Sequence, residues 1–234
     1  MLRQAKDLLE EGTEFKALLD TLSDADWQTP TPFKDWTINQ VVQHLHGSDK
    51  MAVLSLKSRE EFQASIKDRK LLGSMMNPSR TGSELLQDWW SYFQEMCELL
   101  GNSDPKRRLA WFGPDMGVMM FTTARQMETW AHGQDVYDLK KIQRNNTERL
   151  KNIAVIGART YGWTFANRKM EPPGPAPYVE LVAPSGEIWA FNDPCTDNFV
   201  KGDAVDFCHV VTQGRNIADV NLRVVGEPAI LWMS

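Results

Sequence analysis

Residues 125–138 read RQMETWAHGQDVYD. Written as a helix, Arg125, Glu128, His132 and Asp135 fall three or four residues apart and line one stripe. Glu128 and His132, at i and i+4, present a carboxylate oxygen and an imidazole nitrogen from adjacent turns, two of the donors a divalent transition metal takes. Two donors do not close a site, so a third has to come from elsewhere in the chain. Such a pair also occurs in helices that bind nothing, and spacing alone leaves both readings open.

Working outward, the helix holding this stripe is expected over residues 118–141, entered through the turn-rich WFGPDMG (111–117). Before it, apolar positions recur at a helical period over residues 1–22, interrupted by Gly12. A loop with two X-Pro steps follows (SDADWQTPTPFKD, 23–35). Thr37 with Gln40 has capping-box spacing and opens a helix over residues 37–56. A charged, weaker helix over 58–72 is broken by SMMNPSRTGS (74–83), and residues 83–100 form another strong helix. A fifth long helix is expected over 147–169, with Thr147 as its N-cap. Helix after helix joined by short polar loops predicts an up-and-down bundle of four or more long helices spanning residues 1–170.

EPPGPAP (171–177) cannot continue a helix and reads as a stiff linker and domain boundary. Beyond it, YVELVAP (178–184) and EIWAF (187–191) alternate around a PSG turn, a hairpin signal. DAVDFCHVVT (203–212) reads as a helix, NLRVVG (221–226) as a strand and EPAILWMS (227–234) as a final helix. Residues 171–234 are therefore expected to be a small α+β domain, so the fold class is α+β, a helical bundle followed by a mixed unit.

The third donor is sought among four histidines, His44, His46, His132 and His209. In the helix opening at Thr37 the core face is set by Ile38, Val41, Val42 and Leu45, and His44 borders that face. His46 lies about 200° further round and should point away. His44, Glu128 and His132 would make a two-histidine, one-carboxylate site with positions left open for water, thiol or substrate. His209, among apolar residues, reads as structural. Asp135, one turn past His132, either orients that ring or is a solvated carboxylate.

Composition narrows the field further. The 234 residues are 42% hydrophobic and 24% charged, with no apolar run of membrane-spanning length. A net charge of −5 without a basic block argues against nucleic acid. Three cysteines without paired spacing argue against a disulfide framework, and with no apolar segment after the charged start the expected compartment is the cytoplasm. Nine tryptophans and eleven methionines are many for this length, enough both to fill a helical core and to wall a pocket. Trp36, Trp111 and Trp130 sit in or beside the metal-bearing segments, though Trp130, two residues from His132, should face away and pack. Trp-rich helix faces also allow a homodimer. No G-x-S-x-G, P-loop or dinucleotide fingerprint competes, and Cys97 within EMCELL reads as core.

WTINQVVQHL (36–45) and ARQMETWAHGQDVYD (124–138) resemble the two metal-ligand segments of the mycothiol-dependent maleylpyruvate isomerase family, part of the wider DinB-like group. VELVAPSGEIWAF, GDAVDFCHVVTQGR and LRVVGEPAILW resemble its C-terminal domain, which is similar to sterol-carrier-like folds. WFGPDM, METWAHGQD and DFCHVVTQ look closest to a branch of uncharacterised metal-binding proteins. The resemblance implies His44, Glu128 and His132 as metal ligands, with zinc foremost and nickel, iron or manganese as alternatives. It implies a small thiol, mycothiol or glutathione, and a small electrophile as partners in an isomerase or transferase reaction. An anionic substrate would then need a cation, for which Arg125 and, by family position, Arg215 are candidates; the plainer reading of each is an ordinary ion-pairing residue. The other class of function is a metal-stabilised, non-catalytic protein whose α+β domain holds an apolar ligand such as a lipid.

Overall fold

Thr37 starts the second core helix as its spacing predicts. Its hydroxyl accepts from Gln40 N at 3.3 Å, and Thr37 N donates to Gln40 Oε1 at 2.8 Å, closing the capping box. The computed structural model describes residues 2–76 and 79–234, so expectations resting on Met1, Asn77 or Pro78 lie outside the described residues. The chain divides into two compact units, Met1–Arg144 and Asn145–Ser234, each taken by itself below.

The first unit contains α1 (Arg3–Leu19), α2 (Ile38–Lys57), α3 (Arg59–Lys67), α4 (Arg69–Met76), α5 (Gly82–Gly101), a two-residue pairing of β1 (Arg108–Leu109) with β2 (Met116–Gly117), and α6 (Val118–Lys140). The bundle core is built by α1, α2, α5 and α6: α1 packs on α5 and α6, and α2 packs on the same two helices. Leu8, Phe15, Val41, Val42, Leu45, Trp89, Phe93 and Phe121 fill the interior. Gly12 does not break α1. A Cβ there would lie 2.2 Å from Cε1 and Cζ of Phe93, so glycine lets that ring press against the helix backbone. The expected helix over 58–72 divides at Asp68, whose Oδ1 accepts from Lys70 N and Leu71 N, each at 3.0 Å, and thereby caps a new helix. That new helix, α4, continues to Met76, past the start of the expected break.

The second unit contains α7 (Lys151–Arg159), α8 (Tyr161–Asn167), β3 (Tyr178–Val182), β4 (Ile188–Phe191), β5 (Phe199–Asp203), α9 (Ala204–Val211), β6 (Leu222–Val225) and α10 (Glu227–Met233). Strand order is β4-β3-β5-β6. The β3–β4 hairpin is antiparallel with Leu181 opposite Trp189, β3 and β5 are parallel, and β5 and β6 are antiparallel. Alternation along β3 buries Val179 and Leu181. The expected hairpin, helix, strand and final helix all form. Strand β5 was not expected from the sequence, because FVKGD is short and carries no alternating pattern.

Two expectations are corrected here. The helix over 147–169 is interrupted at Thr160, whose Oγ1 donates to Ile156 O at 2.8 Å and Gly157 O at 3.2 Å, and Thr147 makes no side-chain cap. The boundary falls between Arg144 and Asn145 rather than at residue 171. The reason is packing: a Cβ at Gly157 would lie 2.7 Å from Val211 Cγ2, so glycine lets α7 seat directly on α9. EPPGPAP is stitched into this unit, since Tyr161 Oη donates to Gly174 O at 3.0 Å and Asn198 Nδ2 to Pro175 O at 3.1 Å. Among the described residues no helix is long and apolar enough to cross a membrane.

Candidate metal centre

α2 supplies His44, and α6 supplies Glu128 and His132 from adjacent turns. One donor atom from each lies within 4.8 Å of the others. His44 Nε2 is 3.1 Å from Glu128 Oε2, His132 Nε2 is 3.6 Å from the same oxygen, and the two imidazole centroids are 4.6 Å apart. His46 turns to the other side of α2, where its Nε2 lies 2.9 Å from Asp88 Oδ2 and its ring meets Tyr92 edge-on. Burial lowers the His46 pKa against the opposing pull of Asp88.

A loop walls the two imidazoles. Thr31 N donates to Trp36 O at 2.7 Å and Trp36 N to Phe33 O at 2.9 Å, and an antiparallel bridge joins Pro30 and Thr37. Lys34 and Asp35 turn the chain with φ of 51° and 57°. The turn sets Trp36 parallel to His132 at 6.0 Å and tilted on His44 at 5.5 Å, with Phe33 edge-on to His132 at 5.1 Å. Beside it a cavity of about 290 Å³ is lined by Trp36, Gln40, Gln43, His44 and Met76.

Burial alone would raise the Glu128 pKa, but the hydrogen bond from His44 and the charges of Arg125, His132 and His44 outweigh it and hold it at about 2. A carboxylate kept ionised, with two imidazole nitrogens converging on it, is a donor set for a borderline divalent cation, and three donors leave positions open. The residues fit a metal. A depressed carboxyl stabilises the fold above its ordinary value of 4.5, and that contribution is lost as pH falls through about 2. Acid titration of the metal-free protein by circular dichroism should therefore show a shallower acid limb in Glu128→Gln than in wild type.

Residues 8–137 match the family model described as mycothiol maleylpyruvate isomerase N-terminal domain. The chain belongs to that family. Two uncharacterised proteins, from two strains of Mycobacterium tuberculosis, are each 34% identical to it over 240 residues, covering 97% of this chain and 91% of theirs. The crystal structure of the mycothiol-dependent maleylpyruvate isomerase aligns with a TM-score of 0.57 at 10% identity, covering 89% of this chain and 87% of that one. A mutant of that enzyme with one histidine replaced by alanine gives 0.59 at 9%, with the same coverage. At such identities the likeness establishes the fold alone.

In this member of the mycothiol maleylpyruvate isomerase family the matched span contains all three candidate ligands. Arg125, a candidate for an anionic substrate, takes the other role open to it, that of an ion-pairing residue, and is 4% exposed. Its Nε and Nη2 donate to Asp49 Oδ1 at 3.1 and 2.9 Å, and Trp89 Nε1 donates to Asp49 Oδ2 at 3.0 Å. The stripe that sets Arg125 one turn from Glu128 also turns it into α2, and no sequence pattern paired it with a residue 76 positions away. Burial pushes the Asp49 pKa up, opposed by Arg125 and Trp89. Arg215 belongs to the second unit, where its Nη1 donates to Gly214 O at 2.8 Å and it borders a cavity of about 410 Å³.

Trp130 packs as expected, 1% exposed with the Arg144 guanidinium over its ring at 5.4 Å. Trp111 meets Phe62, Phe121 and Arg125. Phe33 was not singled out in the sequence, where a loop aromatic has no periodicity to mark it. Cys97 is buried and its thiol is pushed far up by burial, with Asp49 adding to the shift, so it is a core residue. His209 is buried in α9.

Proposed function

We propose that this chain binds a divalent transition metal, zinc foremost, through His44, Glu128 and His132, and is a thiol-dependent enzyme of the isomerase or S-transferase type. The observation that carries the reading is the convergence of three donor atoms beside a cavity that His44 itself lines. A divalent cation held there would favour ionisation of a small thiol and supply positive charge to the site.

The chain's own residues do the rest. His44 and His132 each bring one ring nitrogen toward a common point, and Glu128 brings the negative charge. Trp36 covers part of both imidazoles and Phe33 part of His132, while the Gln40 and Gln43 side chains line the cavity and bring amides to the polar part of a ligand. The thiol comes from solution, because Cys97, the cysteine of the unit that holds the site, is buried with its pKa raised by burial. Mycothiol or glutathione has the required chemistry. Addition of the thiolate to an activated cis double bond forms a C–S bond and leaves a single bond that rotates. Elimination then breaks the C–S bond, returning the thiol and the trans isomer. In the transferase version a proton is taken up and the thioether is the product. A reducing cytoplasm suits both the small thiol and three free cysteines.

The test is turnover of maleylpyruvate and other activated olefins by zinc-loaded protein, with mycothiol or glutathione added, followed by loss of olefin absorbance. The expected result is activity that needs both metal and thiol and disappears in Glu128→Ala; activity surviving in that variant sinks the reading. A second reading, a metal-stabilised binding protein without catalysis, is favoured by the larger cavity of the second unit. Arg168, Gln213, Arg215 and Asn216 in its lining suit a polar ligand better than a lipid tail. Unfolding of Glu128→Ala, with no turnover in any protein, would support that second reading.

A further inference from the structure

We propose that Asp135 is the positioning residue of the metal centre, holding the proton of His132 on Nδ1 so that Nε2 faces the cation. The inference rests on the metal reading above and adds to it a residue outside the ligand set.

Asp135 is one turn beyond His132 on α6 and is 8% exposed, so it is not the solvated carboxylate the sequence also allowed. A buried carboxylate is costly unless a positive or donating group faces it. Among the described residues the group facing it is His132 Nδ1, 3.6 Å from Asp135 Oδ2. That nitrogen is itself buried and has no hydrogen-bond partner. Two polar groups, each wanting what the other offers, thus stand within a small side-chain rotation of bonding distance. His132 Nε2, on the opposite edge of the ring, already points toward Glu128. When Nε2 ligates, the ring's one proton must reside on Nδ1, and among the described residues Asp135 is the acceptor that faces that N–H. Trp36 lies parallel to the ring and Phe33 meets it edge-on, so its remaining freedom is rotation and tautomer, which a bond to Asp135 would remove.

The experiment is zinc titration of the metal-free protein against a competing chelator for wild type, Asp135→Ala, Asp135→Asn and Asp135→Glu, with thermal midpoints of the metal-free forms beside it. Asp135→Ala should bind zinc about 10–100-fold more weakly. Asp135→Asn keeps volume without charge and should fall between, and Asp135→Glu should recover part of the loss. In zinc-loaded wild type the His132 Nδ1–H should give a downfield proton resonance that moves in Asp135→Asn, a readout that survives if the alanine variant does not fold. Wild-type zinc affinity in Asp135→Ala or Asp135→Asn, or lowered metal-free midpoints with unchanged affinity, would overturn this inference and leave the metal centre standing. Absence of zinc binding in wild type would overturn both.

Discussion

Protein purified without added metal should carry about one transition-metal ion per chain, and His44→Ala and His132→Ala should each lose it while keeping the helical circular-dichroism spectrum. Removing His44 leaves two donors on a single helix. Removing His132 leaves only His44 and Glu128, which already stand 3.1 Å apart. Neither remnant encloses a cation as three donors from two helices do. Both rings sit at the edge of the core, with side chains 27% and 13% exposed, so truncation opens little cavity and the fold should survive. Elemental analysis of the three purified proteins decides it. Wild type free of metal even after reconstitution would remove the three-residue centre and the function built on it.

The largest effect on stability should come from Asp49→Ala, at a cost of about 3–5 kcal/mol. Asp49 is fully buried, and its two oxygens take Arg125 Nε and Nη2 on one side and Trp89 Nε1 on the other. Deleting it leaves a buried guanidinium without its ion-pair partner, together with an indole N–H that has lost its acceptor. Replacing both partners, Asp49→Leu with Arg125→Met, should be markedly less harmful than the single change, because no stranded charge remains. Urea midpoints of wild type, single and double variants measure the difference. A single variant within about 1 kcal/mol of wild type would mean that water reaches the pair. The double variant should also weaken the hold on an ionised Glu128, since the Arg125 charge is one of the influences that keep its pKa low.

Much of the candidate site could be read before any coordinates. The i, i+4 pair of Glu128 and His132 is local, and α-helical geometry alone puts both on one side of α6. The choice of His44 over His46 needed only the position of Val41 and Leu45, and the structure places His44 at Glu128 and His46 at Asp88. Phe33 escaped notice because its approach to His132 depends on a turn through Lys34 and Asp35 at positive φ, which neither residue type announces. Arg125 reads in the sequence as either a substrate contact or an ion-pairing residue, because its own helix says only which way it leaves the axis. Its partner, Asp49, sits on α2.

By itself the sequence determined the features whose causes lie within one turn or one hairpin: the capped start of α2, the α6 stripe, the β3–β4 alternation and the helical-then-mixed order of the chain. Those follow from hydrogen bonds and side-chain periods spanning a few residues. Only the tertiary structure decided the unit boundary, because α7 belongs with α9 through a contact at Gly157 that proline content upstream of β3 does not encode. It likewise decided the partner of Arg125, the wall over the imidazoles and the burial of Asp135. Each of these is a meeting of side chains brought together by the packing of several elements, and burial is what converts such a meeting into an energetic commitment.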